Sequence, residues 1–304
     1  HGSVANTPYY RDVRIEGGLC ESAVAAVMRD YAADLVHTQG ISNEIVAKCA
    51  KEARVPCLAG FHFWNGLVGL GFTSNRKIME NAALHEAADA VRPDRNTVRY
   101  AASEFMTDVY RAVGGTWPLD VFHPVPDPSH YGVTDNEREG AKFVTQVNLA
   151  EGKGGGVFLA CIEKLGREGI PFLGVHSEAV EEGLLSEISK AVNNSPGSRL
   201  ETYGPAQSIY ARSKIVIVPT LVEETFCRVA FEAAANGIPV LSTRAGFIPY
   251  MLGEAGFYLP DDDANAWIDA IRALYADSEK ISEIGRRQRE HVMKKFGKYP
   301  AAFL

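Results

Sequence analysis

Two glutamates follow a predicted strand, at a place where parallel α/β sheets commonly carry ligand-binding groups. Glu224 and Glu232 follow an apolar strand at 215–218 and flank the start of the next helical segment. Ligands of open α/β sheets bind beyond the carboxyl ends of the strands, and the free N–H groups that begin the following helix favour an anion such as phosphate. If residues 224–232 are helical, about 12 Å of axial rise separates the two carboxylates. That span suits a ligand with hydroxyl groups at both ends and a diphosphate between them, as in a nucleotide-sugar.

The elements that must position these carboxylates alternate between strand and helix along the chain. Apolar patterning predicts strands at 34–37, 55–59, 97–101, 142–148, 171–175, 214–218 and 239–242. Helical periodicity is found over 21–33, 42–53, 77–90, 104–113, 156–167, 178–192, 226–236, 264–275 and 281–296. Strands alternating with helices of this length imply parallel sheets with right-handed crossover connections. We therefore expect two α/β halves in tandem, preceded by a polar, irregular segment at 1–16.

A proline-rich stretch separates the two halves. Residues 115–140 interrupt the alternation with several prolines and a charged segment at 136–139. We place the inter-domain linker there, because exposed linkers are commonly rich in proline, glycine and polar residues. The length of 304 residues is about right for two domains of roughly 150 residues each.

Composition and charge exclude several classes of protein. The 31 basic and 38 acidic residues give a net charge of −7, so the chain lacks the basic footprint of a protein that coats nucleic acid. No apolar run approaches the ~18 residues that a membrane span requires. The five scattered cysteines form no C-x-x-C pair or Cys/His cluster. This pattern favours reduced, buried thiols in a cytoplasmic protein without a bound metal.

One segment of the second half carries a distinctive pattern. It contains Pro219-Thr220, Glu224-Thr225-Phe226, Glu232-Ala233 and Asn236-Gly237-Ile238-Pro239. This Glu-x7-Glu arrangement resembles the donor site of the retaining GT-B glycosyltransferases of the family 4 type. Further segments are similar to that family's phosphate-binding loop, glycine-rich turn, D-x-V-H strand and histidine-bearing strand end, at 147–154, 245–249, 34–40 and 55–62 respectively.

The resemblance implies an α/β fold of GT-B architecture, in which two Rossmann-like domains face each other across a cleft. Residues 1–138 would form the acceptor-side domain, incomplete at its start because the opening strand and glycine-rich loop of the family are missing. Residues 139–280 would bind the nucleotide-sugar donor. A C-terminal helix within 281–304 would pack back towards the first domain.

The resemblance also assigns roles to individual residues. Glu224 would accept hydrogen bonds from donor-sugar hydroxyls, Glu232 would hold the ribose hydroxyls, and Lys153 would neutralise the diphosphate leaving group. His62 would line the cleft near the reacting anomeric carbon. The remaining donor-binding positions are Asn148, Thr225, Phe226, Cys227, Arg228 and Val229. The implied reaction is a retaining sugar transfer without metal or cofactor, from a UDP- or GDP-sugar to an unidentified glycan, lipid-linked or small-molecule acceptor.

Three positions depart from the family pattern. Asn148 stands where the family usually has arginine, Cys227 replaces a glycine, and Tyr250 replaces a glutamate. Arg228 is a candidate to supply the missing positive charge. These departures leave open a non-catalytic protein that binds a nucleotide-sugar or glycan. A nucleotide-sugar epimerase of the same fold is less favoured, because the 214–259 motif is of the transferase type.

Other features have simpler structural interpretations. His62 lies among aromatic residues and is as readily a packed structural histidine as a cleft residue. The acidic triplet at 261–263 matches a metal-binding D-x-D pattern, but it precedes a helix, and N-capping explains it more simply. The basic residues over 286–298 indicate a solvated helix face, in preference to contact with an anionic membrane surface.

Overall fold

The computed structural model describes residues 4–6, 11–13, 21–39, 43–64, 95–112, 114–177 and 180–297. These residues form two compact units, one ending at His123 and the other beginning at Pro124. The helix predicted over 77–90 lies outside the described residues. The α/β class is confirmed, because parallel strands joined through helices form the main sheet of each unit.

The first unit is built around a parallel sheet. Its strands are β1 (Val4–Asn6), β2 (Arg11–Val13), β3 (Val36–Gln39), β4 (Cys57–Phe61), β5 (Thr97–Ala101) and β6 (Asp120–Val121). Its helices are α1 (Glu21–Asp30), α2 (Asn43–Ala53) and α3 (Glu104–Ala112). Strands β3, β4, β5 and β6 pair in that order. The expectation that residues 1–16 are irregular is wrong where β1 and β2 pair as antiparallel strands.

The second unit holds a larger parallel sheet. Its strands are β7 (Phe143–Val147), β8 (Phe172–His176), β9 (Arg199–Thr202), β10 (Ser213–Val218), β11 (Val240–Ser242) and β12 (Phe257–Tyr258). Its helices are α4 (Pro128–Tyr131), α5 (Gly155–Leu165), α6 (Glu182–Asn193), α7 (Ala206–Tyr210), α8 (Arg228–Ala235), α9 (Ile248–Leu252), α10 (Ala264–Tyr275) and α11 (Ser278–Phe296).

The strand order of this sheet determines where a ligand binds. The strands lie in the order β12-β11-β10-β7-β8-β9, which is the doubly wound Rossmann arrangement. The order reverses between β7 and β10, which pair directly. A crevice opens at the carboxyl ends of two strands at such a switch point, because the connections leave the sheet in opposite directions. The loops that follow β7 and β10 therefore define the candidate site.

Both faces of the second sheet are covered. Ile215, Val216 and Ile217 of β10 are at most 1% exposed, as expected for a continuous apolar strand buried between helical layers. Trp267 of α10 is fully buried, and its indole N–H donates to Pro260 O at 2.7 Å. Asp263 caps α10 by accepting from the backbone N–H groups of Asn265 and Ala266, so the acidic triplet serves as a helix cap.

The segment expected to be a linker packs against the second unit. Asn236, at the end of α8, donates to Tyr131 O at 2.9 Å and accepts from Val133 N at 2.9 Å. Arg138 donates in turn to Asn236 O at 3.0 Å. The compact units thus divide at 123/124, whereas the domain bounds 1–138, 139–280 and 281–304 stay predictions. Helix α11 contacts α8 and α9 within the second unit, and its expected packing towards the first domain also stays a prediction.

We expect Gln288→Leu to destabilise the second unit by about 2–4 kcal/mol, because two buried backbone groups would lose their partners. The Gln288 side chain is fully buried and accepts from Val240 N at 2.7 Å while donating to Val240 O at 2.9 Å. Thermal unfolding followed by calorimetry measures the effect. The control is Gln207→Leu, since the Gln207 amide donates to Ser129 O on the surface. Equal melting temperatures for the two variants would contradict the assigned role of Gln288.

Candidate functional site

The loop after β7 makes two sharp changes of direction. Asn148 has a φ of 69°, in the left-handed region, and its side-chain oxygen accepts from Ala150 N at 3.2 Å. A 3-10 turn at Glu151–Lys153 follows, and Gly154 ends that turn with a φ of 81°. A Cβ atom at Gly154 would lie 2.1 Å from Pro219 O, so only glycine permits this approach to the loop after β10.

Backbone hydrogen bonds tie the two loops together. The carbonyl of Gly152 accepts from Leu221 N at 2.9 Å and from Val222 N at 3.2 Å. The Thr220 hydroxyl donates to the same oxygen at 3.4 Å. These bonds hold Lys153, which follows Gly152 in the first loop, close to the second loop, which carries Glu223 and Glu224.

Lys153 and Glu224 meet as a result. Their Nζ and Oε1 atoms are 2.6 Å apart, although 71 residues of chain separate them. The Lys153 side chain is 31% exposed and that of Glu224 13%. Burial alone would lower the pKa of Lys153, but the adjacent Glu224 carboxylate outweighs burial, and the pKa is raised. The lysine is therefore a permanent positive charge at the switch point of the sheet.

Gln146 supports this loop, and the sequence analysis missed it. Its amide donates to Asn148 O at 3.1 Å and to Lys153 O at 3.0 Å, from a side chain that is 1% exposed. A buried amide that bridges both ends of a loop restricts the positions the loop can take. The available signal was an amide side chain near the end of a largely apolar strand.

Helix α8 begins later than predicted. It starts at Arg228, and Cys227 before it is buried with a φ of 63°. Glu224 therefore lies outside the helix, and the separation derived from a helical 224–232 segment is wrong. The first turn of α8 still presents the backbone N–H groups of Arg228 and Val229 at the site, whereas the Ala230 N–H interacts with the Cys227 side chain. Thr225, which precedes this turn, and Val229, which lies within it, are both partly buried.

The second glutamate of the motif is held by two neighbours. Tyr210 OH donates to Glu232 Oε2 at 2.8 Å, and Arg228 donates to Glu232 Oε1 from Nη2 at 3.2 Å. Burial raises the pKa of Glu232, while the Tyr210 hydrogen bond and the Arg228 charge oppose that rise. Arg228, a candidate to replace the charge missing at Asn148, is thus paired with Glu232. Tyr210 is a second residue that sequence reasoning missed.

An aromatic cluster surrounds Phe226 of the motif. Phe226 is 2% exposed, stacks on Phe247 with ring centroids 5.7 Å apart, and meets Phe296 of α11 edge-on. Tyr250, which stands where the family pattern has a glutamate, also stacks on Phe247, with ring centroids 5.7 Å apart. Phe226 therefore anchors the motif and is not free to contact a ligand.

Gly246 lies directly against the backbone of Glu224. Its φ is 60°, and a Cβ atom there would come within 2.3 Å of both Glu224 N and Glu224 O. The amide of Phe247 donates to Glu224 O at 2.8 Å. The turn at 245–249, which the resemblance predicts to be glycine-rich, therefore fixes the position of the Glu224 backbone.

His62 belongs to the first unit, where it joins a small polar cluster. Tyr100 OH lies 3.0 Å from His62 Nε2 and 2.5 Å from His37 Nε2. Burial and the neighbouring His37 lower the pKa of His62 to about 4, and burial raises the pKa of Tyr100 to about 12. His62 is therefore neutral at physiological pH, and its expected place near the anomeric carbon stays a prediction.

Three further expectations concern metal ligands, cysteines and membrane-spanning helices. Among the residues that the structure describes, no three His, Cys, Asp or Glu side chains could hold a metal ion together. Cys49, Cys57, Cys161 and Cys227 are buried thiols outside any disulfide, as the scattered cysteines indicated. In the described ranges no helix is long and apolar enough to cross a membrane.

Comparison with known families and proteins finds sequence similarity in the second unit. Residues 150–277 match a family described as Glycosyl transferases group 1. D-inositol 3-phosphate glycosyltransferase from Corynebacterium glutamicum is 36% identical over 87 residues, which are 28% of this chain and 21% of that protein. The Arthrobacter protein of the same name is 31% identical over 126 residues, 40% of this chain and 30% of that protein. The matches thus span less than a third of these relatives.

Solved structures share the fold over nearly the whole chain. Sucrose-phosphate synthase from Thermosynechococcus elongatus has a TM-score of 0.72 at 18% identity, covering 96% of this chain and 81% of that one. Anabaena HepE in complex with UDP-glucose has a TM-score of 0.71 at 17% identity, covering 91% and 78%. The GT-B fold class expected from the sequence is confirmed.

We expect Gly246→Ala to destabilise the second unit and displace Glu224. Alanine is strained at a φ of 60°, and its Cβ would overlap the Glu224 backbone, so a loss of about 2 kcal/mol or more is expected. The control is Gly183→Ala in α6, where a Cβ meets nothing within 4 Å and alanine favours the helix. Calorimetry should show a lower melting temperature for Gly246→Ala and no lowering for Gly183→Ala. Two unchanged variants would show that the loop tolerates the side chain.

We expect His62 to stay neutral between about pH 5.5 and 8. Its pKa is about 4 in the folded protein against an ordinary 6.5, so the unfolded chain binds the extra proton first. His62 thus contributes a loss of stability as the pH falls from 6.5 towards about 4. Imidazole ¹⁵N shifts recorded against pH test this, with the urea-unfolded chain as the reference. A folded-state midpoint near 6.5 would contradict the burial of the ring.

Proposed function

We propose that this protein is a glycosyltransferase that moves a sugar from a nucleotide-sugar to an acceptor hydroxyl, with retention of anomeric configuration and without a metal ion. The observation that carries the proposal is the meeting of Lys153 and Glu224 at the switch point of the second sheet. The group 1 match over 150–277 supports the class of enzyme. Solved structures of similar fold in complex with UDP and UDP-glucose support a nucleotide-sugar as the donor.

The positive groups at this site suit a diphosphate leaving group. Lys153 carries a charge whose present partner is the Glu224 carboxylate, and α8 adds the backbone N–H groups and dipole of its first turn. A diphosphate would take over Lys153 and leave Glu224 to accept hydrogen bonds from the donor sugar. These groups would stabilise the negative charge that develops as the sugar leaves, which is the task a metal ion performs in other enzymes.

The transfer itself breaks one bond and forms another on the same face of the sugar. The bond between the anomeric carbon and the diphosphate oxygen breaks, and the bonding pair leaves with the diphosphate. The acceptor oxygen forms the new bond to the anomeric carbon, and its proton passes to the diphosphate. His62 is proposed to line this reaction from the first unit as a neutral hydrogen-bonding group, consistent with its lowered pKa of about 4.

A non-catalytic protein that binds a nucleotide-sugar is the second candidate. It is motivated by Cys227, whose side chain is buried at the start of α8 where the family has glycine, and by Asn148 in place of arginine. The Asn148 side chain is already committed to Ala150 N within the loop. Donor binding without turnover for any acceptor would favour this candidate.

A panel of UDP-, GDP- and ADP-sugars, assayed for binding, hydrolysis and transfer, tests the proposal. We expect Lys153→Ala to weaken nucleotide diphosphate binding about 10-fold or more, because a charge-assisted contact is lost. Glu224→Ala should bind UDP at least as tightly as the wild type, because Lys153 is released, but should lose sugar transfer.

The matched control is Lys164→Ala, at the far end of α5 on the surface. This variant should bind the donor as the wild type does. If the wild-type protein binds no nucleotide diphosphate of the panel, the proposed function is wrong.

A further inference from the structure

A buried hydroxyl is aimed at the second carboxylate of the motif. Tyr210 ends the short helix α7, is 2% exposed, and donates from its OH to Glu232 Oε2 at 2.8 Å. Glu232 is itself 6% exposed and lies on α8, 22 residues further along the chain. A phenylalanine at 210 would fill the same volume, so the hydroxyl adds only this one interaction.

The hydrogen bonds leave one side of the carboxylate available. An ionised carboxylate has about four acceptor positions on its two oxygens. Tyr210 occupies one on Oε2, so one position remains on that oxygen. Arg228 takes both positions on Oε1, with Nε and Nη2 at 3.3 and 3.2 Å, but its side chain is 51% exposed, so a ligand hydroxyl can replace one of these bonds. Two adjacent oxygens are the arrangement that two neighbouring hydroxyl groups require.

We propose that Tyr210 is a positioning residue that holds Glu232 for the vicinal 2′- and 3′-hydroxyls of the donor's ribose. The inference rests on the proposed function, since it concerns the same nucleotide site. Without the phenol, Oε2 would be buried with one partner fewer, and the carboxylate would rotate or take up a proton to satisfy it. After either change, the two carboxylate oxygens would no longer be placed to accept hydrogen bonds from two neighbouring hydroxyl groups.

Tyr210→Phe separates this role from packing, because the readout is the discrimination between two nucleotides. Calorimetry measures the affinities of UDP and 2′,3′-dideoxyuridine diphosphate, and of the guanosine pair if the protein prefers GDP. We expect the wild type to prefer the ribose form. Tyr210→Phe should weaken UDP binding about 5- to 20-fold while the dideoxy affinity stays within about 2-fold.

The control is Tyr275→Phe, which removes an exposed hydroxyl that donates to Lys142 O at 2.9 Å. It should keep the wild-type preference. Glu232→Gln keeps the size of the side chain and should lose the preference as Tyr210→Phe does, which provides a second test if Tyr210→Phe does not fold.

The outcomes distinguish the two proposals. Equal weakening of both nucleotides by Tyr210→Phe, or a ribose preference that Tyr210→Phe retains, would overturn the inference and leave the proposed function standing. A wild type without ribose preference would also overturn the inference alone. Failure of the wild type to bind either UDP or GDP would overturn both.

Discussion

The candidate site depends on one constraint at the carboxyl edge of the second sheet, where two loops must come close enough to share the carbonyl of Gly152. That oxygen receives the amides of Leu221 and Val222, and Gly154 removes the side chain that would hold the loops apart. The geometry of Lys153 and Glu224 follows from these backbone contacts. Both side chains are partly buried, and each charge offsets the desolvation of the other.

The Lys153–Glu224 ion pair also determines which ligands can bind at the site. A raised pKa keeps Lys153 charged beside the Glu224 carboxylate, so the two side chains form an ion pair. An anionic ligand must exchange partners with this pair and must offer Glu224 new hydrogen-bond donors in return. Under the proposed function, a nucleotide-sugar brings both a diphosphate and sugar hydroxyls, whereas a sulfate ion brings no hydroxyl for Glu224. The pair would thus discriminate by requiring two kinds of group in one molecule.

The sequence predicted the alternation of elements well, because strands such as 215–218 are continuously apolar and helices such as 264–275 keep a clear period. It missed short elements such as β12 and α7, in which too few residues lie for a pattern to emerge. The meeting of Lys153 with Glu224 could be anticipated only through a family resemblance. Hydrogen bonds between distant residues, such as that of Tyr210 with Glu232, leave no periodic trace in the sequence.

Asn236 shows how a boundary drawn from composition differs from one drawn from hydrogen bonds. Prolines and charges mark 115–140 as a connector, yet the Asn236 side chain uses both its amide nitrogen and its oxygen on the backbone of Tyr131 and Val133. A chain cut at 139 would lose those partners, so the buried Asn236 oxygen would have no donor and its amide nitrogen would keep only Glu232 O, at 2.9 Å. The segment from 124 onward therefore belongs to the same compact unit as the helix that carries Glu232.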